Sequence, residues 1–329
     1  MFAVKQSGTD NDTAKLVKNS CDLIHTSGSA SRFQAAAAGP SDTAALRVRS
    51  KAVFSQLTLS GTLQGAMSRF SILFCWMLAL APALAGDQLP GKDSAPKFRV
   101  LVLMESGGHH VAFTAAAKPW LKRCGEENGF AVDYITNTAP ITEELLARYR
   151  LVLQLDFVPY GWTPEAMAAF KAYIEQDKGG WLGLHHATLL GDFDGQPMWP
   201  WFSEFMGGIQ FKNYIARFSS GKVRVEDKTH PCMKDVPESF VISKEEWYTY
   251  DRSPRANVHV LASVDESTYS ETSAVRMGDH PVIWTNERVP ARNIYIFMGH
   301  GPWLLEDKAF TTILRNAILW AAERPSSSK

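Results

Sequence analysis

The pattern that most constrains the fold is an alternation of short apolar runs and helical stretches between residues 98 and 184. The first run, residues 98–105, is continuously apolar, which is typical of a strand buried on both faces of a parallel sheet. The predicted order is strand 98–105, helix to about 128, strand 130–136, helix 141–148, strand 151–155, helix 163–177 and strand 181–184. Because such alternation winds a sheet with a fixed right hand, the sequence predicts a doubly wound α/β sheet.

The second half of the chain is less regular and shows no internal repeat or interior linker. A long aromatic stretch at residues 189–220 is predicted to contain one short helix, and an amphipathic helix at residues 310–322 closes the domain. Further strands are predicted at 221–226, 239–243, 258–264, 280–285 and 293–298. We therefore predict one domain over residues 98–323, a linker at 86–97 and a disordered tail at 324–329.

A secretory signal peptide is predicted at residues 67–85. Met67 and Arg69 precede an apolar run at 70–80, and the small residues Ala83 and Ala85 follow it. The run is too short to span a bilayer permanently, so we expect a periplasmic or secreted bacterial protein with no integral membrane segment after cleavage. Residues 1–66 are interpreted as a non-native leader ahead of a true start at Met67. The alternative is a disordered leader followed by an apolar segment that is not cleaved.

The overall charge and the aromatic content indicate what kind of binding partner to expect. The chain carries 34 basic and 34 acidic side chains, which gives no electrostatic reason to expect nucleic acid as a partner. Ten Trp and nine Tyr residues are many for this length. They are either large core residues or, in part, stacking platforms for the apolar face of a sugar ring.

Histidines follow several of the predicted strands at their carboxyl ends, where ligands bind in open α/β sheets. The pairs His109-His110 and His185-His186 follow the first and fourth strands, and His300 follows the last. Imidazole can transfer protons near neutral pH or bind a metal, and no His-x-His spacing decides between these roles. Adjacent residues usually point in different directions, so we expect only one histidine of each pair to face the cleft.

A short segment between two later strands places carboxylates beside aromatic side chains. Glu245, Glu246, Trp247 and Tyr248 follow one another there. One interpretation is a solvated loop with aromatic anchors. The more specific hypothesis is that Glu246 acts as a general acid or base in the cleft.

The order of several motifs resembles the ThuA-like (trehalose-utilisation) family. The motifs are Gly179-Gly-Trp-Leu-Gly-Leu-His-His-Ala187, Asp227-Lys-Thr-His-Pro231, Glu245-Glu-Trp-Tyr248, Ser253-Pro-Arg255, Asp279-His-Pro-Val-Ile-Trp284 and Tyr295-Ile-Phe-Met-Gly-His300. The resemblance covers residues 98–322. It implies a flavodoxin-like three-layer α/β/α sandwich with a mostly parallel central sheet, similar in fold to class I glutamine amidotransferases. It also implies a role near carbohydrate catabolism, often beside dehydrogenases that make 3-keto sugars.

The resemblance also implies that the Cys–His–Glu triad of the amidotransferases is missing. Where such a fold carries its nucleophilic Cys, after the fourth strand, this chain has His185. We therefore expect that the protein is not a glutamine amidotransferase. The doubled histidines depart from the single-histidine patterns of the family, which leaves open which member of each pair is functional.

Three functions are compatible with these features. The first is an exported enzyme, a hydrolase, lyase or isomerase, that acts on a sugar or keto-sugar derivative by histidine acid/base chemistry or with a divalent metal. The second is a non-catalytic carbohydrate-binding protein on the same fold, and the third is a structural or assembly partner. The predicted catalytic residues are His110, His185, His186, Glu246 and His300. The predicted substrate-binding residues are His109, Asp156, Trp199, Trp247, Tyr248 and Trp303. No metal ligands are assigned, and the expected partner is a small carbohydrate.

Overall fold

The computed structural model describes residues 95–323. The predicted leader, the signal peptide at 67–85, most of the linker and the tail at 324–329 lie outside the described residues. The described helices are α1 (Val111–Asn128), α2 (Glu143–Leu146), α3 (Pro164–Glu175), α4 (Pro200–Phe205) and α5 (Lys308–Ala322). None of them combines the length and the apolar character that crossing a bilayer requires.

The described strands form one large and one small sheet. They are β1 (Phe98–Met104), β2 (Phe130–Ile135), β3 (Leu151–Leu155), β4 (Gly180–Leu184), β5 (Phe211–Tyr214), β6 (Ser219–Val225), β7 (Ser239–Glu245), β8 (Tyr248–Tyr250), β9 (His259–Asp265), β10 (Pro281–Thr285) and β11 (Asn293–Ile296). The large sheet has nine strands in the order β2-β1-β3-β4-β11-β10-β9-β6-β7, and β5 pairs with β8 in the small one.

The large sheet consists of a parallel half and an antiparallel half. Strands β2, β1, β3, β4 and β11 pair in parallel, and from β11 through β10, β9 and β6 to β7 every pairing is antiparallel. The parallel half is the part that strand–helix alternation predicts. The antiparallel half follows from the lack of helices between the later strands, since antiparallel neighbours need no crossover.

Local sequence signals set the helix starts. Thr163 precedes α3, its side-chain oxygen accepts from the N–H of Ala166, and Pro164 occupies the first turn. Asp307 caps α5 in the same way by accepting from the N–H of Phe310. Such caps satisfy N–H groups that have no partner within the helix.

The helices cover both faces of the sheet and confirm the predicted α/β/α sandwich. On β4, adjacent residues point to opposite faces. A Cβ at Gly180 would collide with the carbonyl oxygen of Ala321 in α5, whereas Trp181 packs against Phe202 of α4 with ring centroids 5.8 Å apart. Helix α1 lies on the same face of the sheet as α5, because the rings of Phe113 in α1 and Phe310 in α5 contact each other with centroids 6.3 Å apart.

The small sheet was not predicted. Its strands are only four and three residues long and lie within the aromatic stretch and the segment after β7. Strands this short carry too few residues for an alternation to be visible. Their pairing matters because β8 brings Tyr248 beside the histidines described next.

Candidate active site at the strand ends

Three histidines from distant segments meet at one edge of the parallel half. His110 precedes α1, His185 directly follows β4, and His300 lies in the loop after β11. Nδ1 of His300 lies 3.1 Å from Nε2 of His110 and 3.4 Å from Nε2 of His185. The three residues bring ligand nitrogens within 4.8 Å of one another. We call His110, His185 and His300 the histidine cluster.

The backbone at His185 brings a fourth ring to the same place. His185 has a φ of 39°, in the left-handed region that non-glycine residues rarely adopt. The strand alternation therefore ends here, and the rings of His185 and His186 stack with centroids 5.4 Å apart. The prediction that one histidine of each pair faces the cleft is wrong for this pair. In the other pair His109 is exposed, whereas His110 is buried in the cluster.

Two members of the cluster are oriented through their second ring nitrogen. Nδ1 of His110 lies 2.9 Å from Oε2 of Glu105, and Nδ1 of His185 lies 3.1 Å from the carbonyl oxygen of Phe297. The carbonyl can only accept, so Nδ1 of His185 carries the proton and its Nε2 carries the lone pair. The hydroxyl of Tyr248, 2.8 Å away, donates to that Nε2.

Two adjacent carboxylates at the end of β7 have different roles. Oε2 of Glu246 lies 3.5 Å from Nδ1 of His300 and 3.9 Å from Nε2 of His185, and its side chain is partly exposed. Glu245 is fully buried and accepts from the N–H groups of Gly299 and Glu246 at 3.1 and 2.9 Å. Glu245 therefore fixes the backbone that presents His300 and Glu246, while Glu246 faces the cluster.

Asp156 is a buried carboxyl beside the cluster. It has a φ of 53° and follows β3 directly. A Cβ on Gly299 would lie 2.6 Å from Oδ1 of Asp156 and 2.7 Å from Cβ of His185, so Gly299 is required for this close approach. Neither carboxyl oxygen of Asp156 has a hydrogen-bond partner among the described residues. Burial raises the pKa of Asp156 well above its usual value.

Burial also shifts several other ionisable groups of the site towards their neutral forms. It raises the pKa of Glu105 to about 7 and that of Glu245 to about 8. It lowers the pKa of His110 to about 3, with the neighbouring His300 adding to the effect. The pKa values of His185 and His186 are lowered well below the usual range for the same reason. Neutral imidazole is the form that binds metal ions.

Two of the three nitrogen–nitrogen separations in the histidine cluster are close to those of a tetrahedral metal site. With metal–nitrogen bonds of about 2.0–2.1 Å, two ligand nitrogens lie about 3.3 Å apart. The 3.1 and 3.4 Å separations are close to that value. The contact of Glu105 with Nδ1 of His110 matches the carboxylates that orient metal-binding histidines. Glu105, His110 and His186 form a second possible ligand group, which overlaps the first at His110.

Several predicted substrate-binding residues do not line an open surface. Trp247 is fully buried and its Nε1 donates to the carbonyl oxygen of Ser219, so the prediction that it stacks on a ligand is wrong. Trp199 is likewise a core residue, packed against Trp162 and Trp201. Both belong to the apolar core, which contains many aromatic side chains. Asp156 and Tyr248 are buried behind the imidazole rings, whereas Trp303 is half-buried at the rim.

Sequence reasoning missed Glu105, Glu245 and Phe218. Glu105 could have been found, because it ends the first apolar run just before the His109-His110 pair. Glu245 was quoted in a motif, but its burial depends on the pairing of β7 and on the position of Gly299. Phe218 lies in a loop, and its contact with His300 at a centroid distance of 4.6 Å has no local sequence signal.

Comparison with known proteins agrees with this architecture. The family ThuA, described as trehalose utilisation, matches residues 99–321. A ThuA-like protein from Bacteroides uniformis is 32% identical, with 71% of this chain and 94% of that chain covered and a TM-score of 0.63. A ThuA-like protein from Parabacteroides merdae is 20% identical, with 71% and 92% covered and a TM-score of 0.53. Among curated proteins, none matches this sequence significantly.

The fold and the site define an α/β-sandwich protein with a histidine cluster at the carboxyl ends of its parallel strands. The chain belongs to the ThuA family. The family description suggests a carbohydrate-related role.

Proposed function

We propose that this protein is an exported, metal-assisted enzyme that acts on a sugar or keto-sugar derivative. The observation that carries the proposal is the convergence of His110, His185 and His300 within 4.8 Å. Two of these rings are already oriented by hydrogen bonds at their other nitrogen. Carboxylates and carbonyl oxygens orient metal-binding histidines in this way.

Nε2 of His110, Nε2 of His185 and Nδ1 of His300 would hold the metal, and the hydroxyl of Tyr248 would then give up its hydrogen bond to Nε2 of His185. A divalent ion there would polarise a sugar carbonyl or activate a water molecule. The ring nitrogens supply only three ligands, which leaves room for substrate, as in catalytic metal sites generally. The cluster reaches solvent through the partly exposed side chains of Glu105, His186, Glu246 and His300.

Glu246 is the group placed to transfer protons. Its carboxylate lies within 4 Å of ring nitrogens of His300 and His185 while remaining partly exposed. Hydrolysis, elimination and isomerisation of a keto sugar all require a proton to move at or next to a polarised carbon–oxygen bond. The carbonyl oxygen of Phe297 holds His185 in position through Nδ1, and Glu105 does the same for His110.

The proposal is tested by assaying the full chain against disaccharides and their 3-keto forms. Turnover should disappear when the metal is removed with a chelator and should return on adding Zn²⁺ or Mn²⁺. The Glu246→Gln variant should lose about 10²- to 10⁴-fold in kcat while keeping its metal, because general acid–base catalysis contributes about that much. Turnover that is unaffected by the chelator would contradict the proposal. Sugar binding without turnover by the metal-loaded protein would favour the binding-protein alternative.

The export part of the proposal rests on the predicted signal peptide at residues 67–85. Expression in a Gram-negative host should yield periplasmic protein whose N-terminal sequence begins Gly86-Asp87. Recovery of the intact chain from the cytoplasm would rule out export. That outcome would leave the metal-site argument unchanged, since the argument uses only residues of the folded domain.

A further inference from the structure

An exposed aromatic side chain lies directly beside the histidine cluster. Phe218 is 41% exposed and is one of three exposed large hydrophobic residues in the described part of the chain. Its ring contacts that of His300 edge to face, with centroids 4.6 Å apart and an interplanar angle of 69°. An exposed apolar ring at the mouth of a polar site is a common feature of ligand-binding surfaces.

Trp303 extends this aromatic surface away from the cluster. Its ring lies 5.4 Å from that of Phe218. Its Nε1 donates to the carbonyl oxygen of Lys244 at 2.7 Å, which fixes the orientation of the indole. The two rings and His300 therefore form a continuous wall from the proposed metal centre to solvent.

Lys244 places a positive charge on this wall. Its Nζ lies 4.4 Å from the ring centroid of Trp303 and 5.2 Å from that of Phe218. Among the ion pairs of residues 95–323, none involves Lys244. The ammonium is thus held by aromatic rings instead of a carboxylate, which leaves its charge available to an anionic ligand.

We propose that Phe218, Trp303 and Lys244 form a subsite for a sugar ring that carries an anionic group. A carboxylate or phosphate that pairs with Lys244 would bring its own ring against the aromatic wall and next to His300. This inference rests on the proposed function, because it takes the histidine cluster as the reacting centre. It adds that the preferred substrates are acidic sugar derivatives.

Binding of glucose, glucuronate and glucose 6-phosphate to the full chain tests this subsite. Glucuronate differs from glucose only in having a carboxylate in place of the C6 hydroxymethyl group. Glucose 6-phosphate distinguishes recognition of phosphate from recognition of carboxylate. Titration calorimetry should show at least one acidic sugar binding about tenfold more tightly than glucose, since a charge-assisted contact supplies about that much. Lys244→Met should abolish the preference. Phe218→Ala should weaken binding of all three sugars, and Phe218→Tyr should restore it.

Two matched controls separate this subsite from general effects. Lys171 also lies over an indole, 6.0 Å from the centroid of Trp201, but on α3, so Lys171→Met should keep the preference. Val241 is 56% exposed on β7, and Val241→Ala should leave binding unchanged. Equal affinity for all three sugars, no binding of any of them, or a preference that survives Lys244→Met would overturn the proposal.

Metal content measured on the same samples separates the two proposals. A Lys244-dependent preference in protein that binds no metal would uphold the subsite and reject the metal-assisted function. Stoichiometric metal without any preference for acidic sugars would reject the subsite alone.

Discussion

The parallel and antiparallel halves of the large sheet contribute different groups to one site. Strands β1, β4 and β11 of the parallel half end at the same edge and deliver His110, His185 and His300. The antiparallel half supplies Glu245 at the end of β7 and Glu246 just after it. The parallel half therefore builds the proposed metal centre, and the antiparallel half adds the proton-transfer group and its support.

The comparison teaches that strand direction decides how predictable a site is. Parallel strands all present their carboxyl ends at one edge, so residues far apart in sequence become neighbours by topology alone. Antiparallel strands alternate their ends between two edges. The position of Glu246 then depends on turn lengths and register, such as the irregular pairing between Ser219 and Gly221 on β6 and their partners on β7.

The largest expected effect is on metal binding, and it distinguishes the histidines of the parallel half from Glu246 of the antiparallel half. His110→Ala and His185→Ala should abolish stoichiometric metal binding, because each removes one of only three ligands. Glu246→Gln should retain the metal. His259, on the distant β9, provides the control, and His259→Ala should bind metal as the wild type does. Metal content after dialysis measures this effect. Unchanged metal content in the His185→Ala variant would contradict the assignment of His185 as a metal ligand.

The next effect tests whether the two halves fold as one unit. Trp284 on β10 and Leu182 on β4 are both buried in the same core. Trp284→Ala should cost about 3–5 kcal/mol of unfolding free energy and Leu182→Ala about 2–5 kcal/mol. Each should move the single urea transition to lower concentration without changing its slope. Two separate transitions, only one of which responds to each substitution, would show that the halves unfold independently.

Gly299 connects the two halves, since its N–H binds Glu245 and its missing Cβ makes room for Asp156 and His185. Gly299→Ala should cost about 1–3 kcal/mol through overpacking and should weaken metal binding by displacing His185. At Gly107 an added Cβ would meet no atom within 4 Å, so Gly107→Ala is the matched control. Thermal unfolding of both variants measures the difference, and equal stabilities would refute the packing argument.

The smallest effect concerns an ion network of the antiparallel half. Arg255 pairs with Glu226 and Asp279 at 2.6 and 2.7 Å, and its hydrogen bonds lower the pKa values of both carboxyls. A lowered pKa stabilises the folded state above the unfolded pKa, and this contribution is lost as the pH falls. Arg255→Met should therefore cost up to about 1 kcal/mol at pH 7, a small value because the groups are partly exposed.

The pH dependence of this variant provides the check. The stability gap between wild type and Arg255→Met should shrink as the pH falls below about 4, where the carboxyls become protonated. Urea titrations at several pH values would measure it. A gap that stays constant down to pH 3 would show that lost packing, not charge, causes the destabilisation.

Much of the parallel half could be predicted from the sequence. The continuous apolar run of β1 and the Thr163-Pro164 start of α3 are local signals, and strand–helix alternation fixes the topology. The same topology predicted that His110, His185 and His300 would lie at one edge. Local signals also gave the strands of the antiparallel half to within a few residues, but not their order in the sheet.

The remaining details of the site could not be predicted because they depend on tertiary contacts. His185 has a left-handed φ and both rings of its pair contact His110, and the modest preference of histidine for positive φ is too weak to predict this at one position. Trp247 was taken for a ligand platform, yet long-range packing buries it completely. The contact of Phe218 with His300 arises only when the loop before β6 folds over the strand ends.

X-ray absorption at the zinc edge of the metal-loaded full chain tests the central claim most directly. The account predicts three imidazole nitrogens at about 2.0–2.1 Å and a loss of one of them in the His300→Ala variant. A first shell made only of oxygen, or one that His300→Ala leaves unchanged, would contradict it.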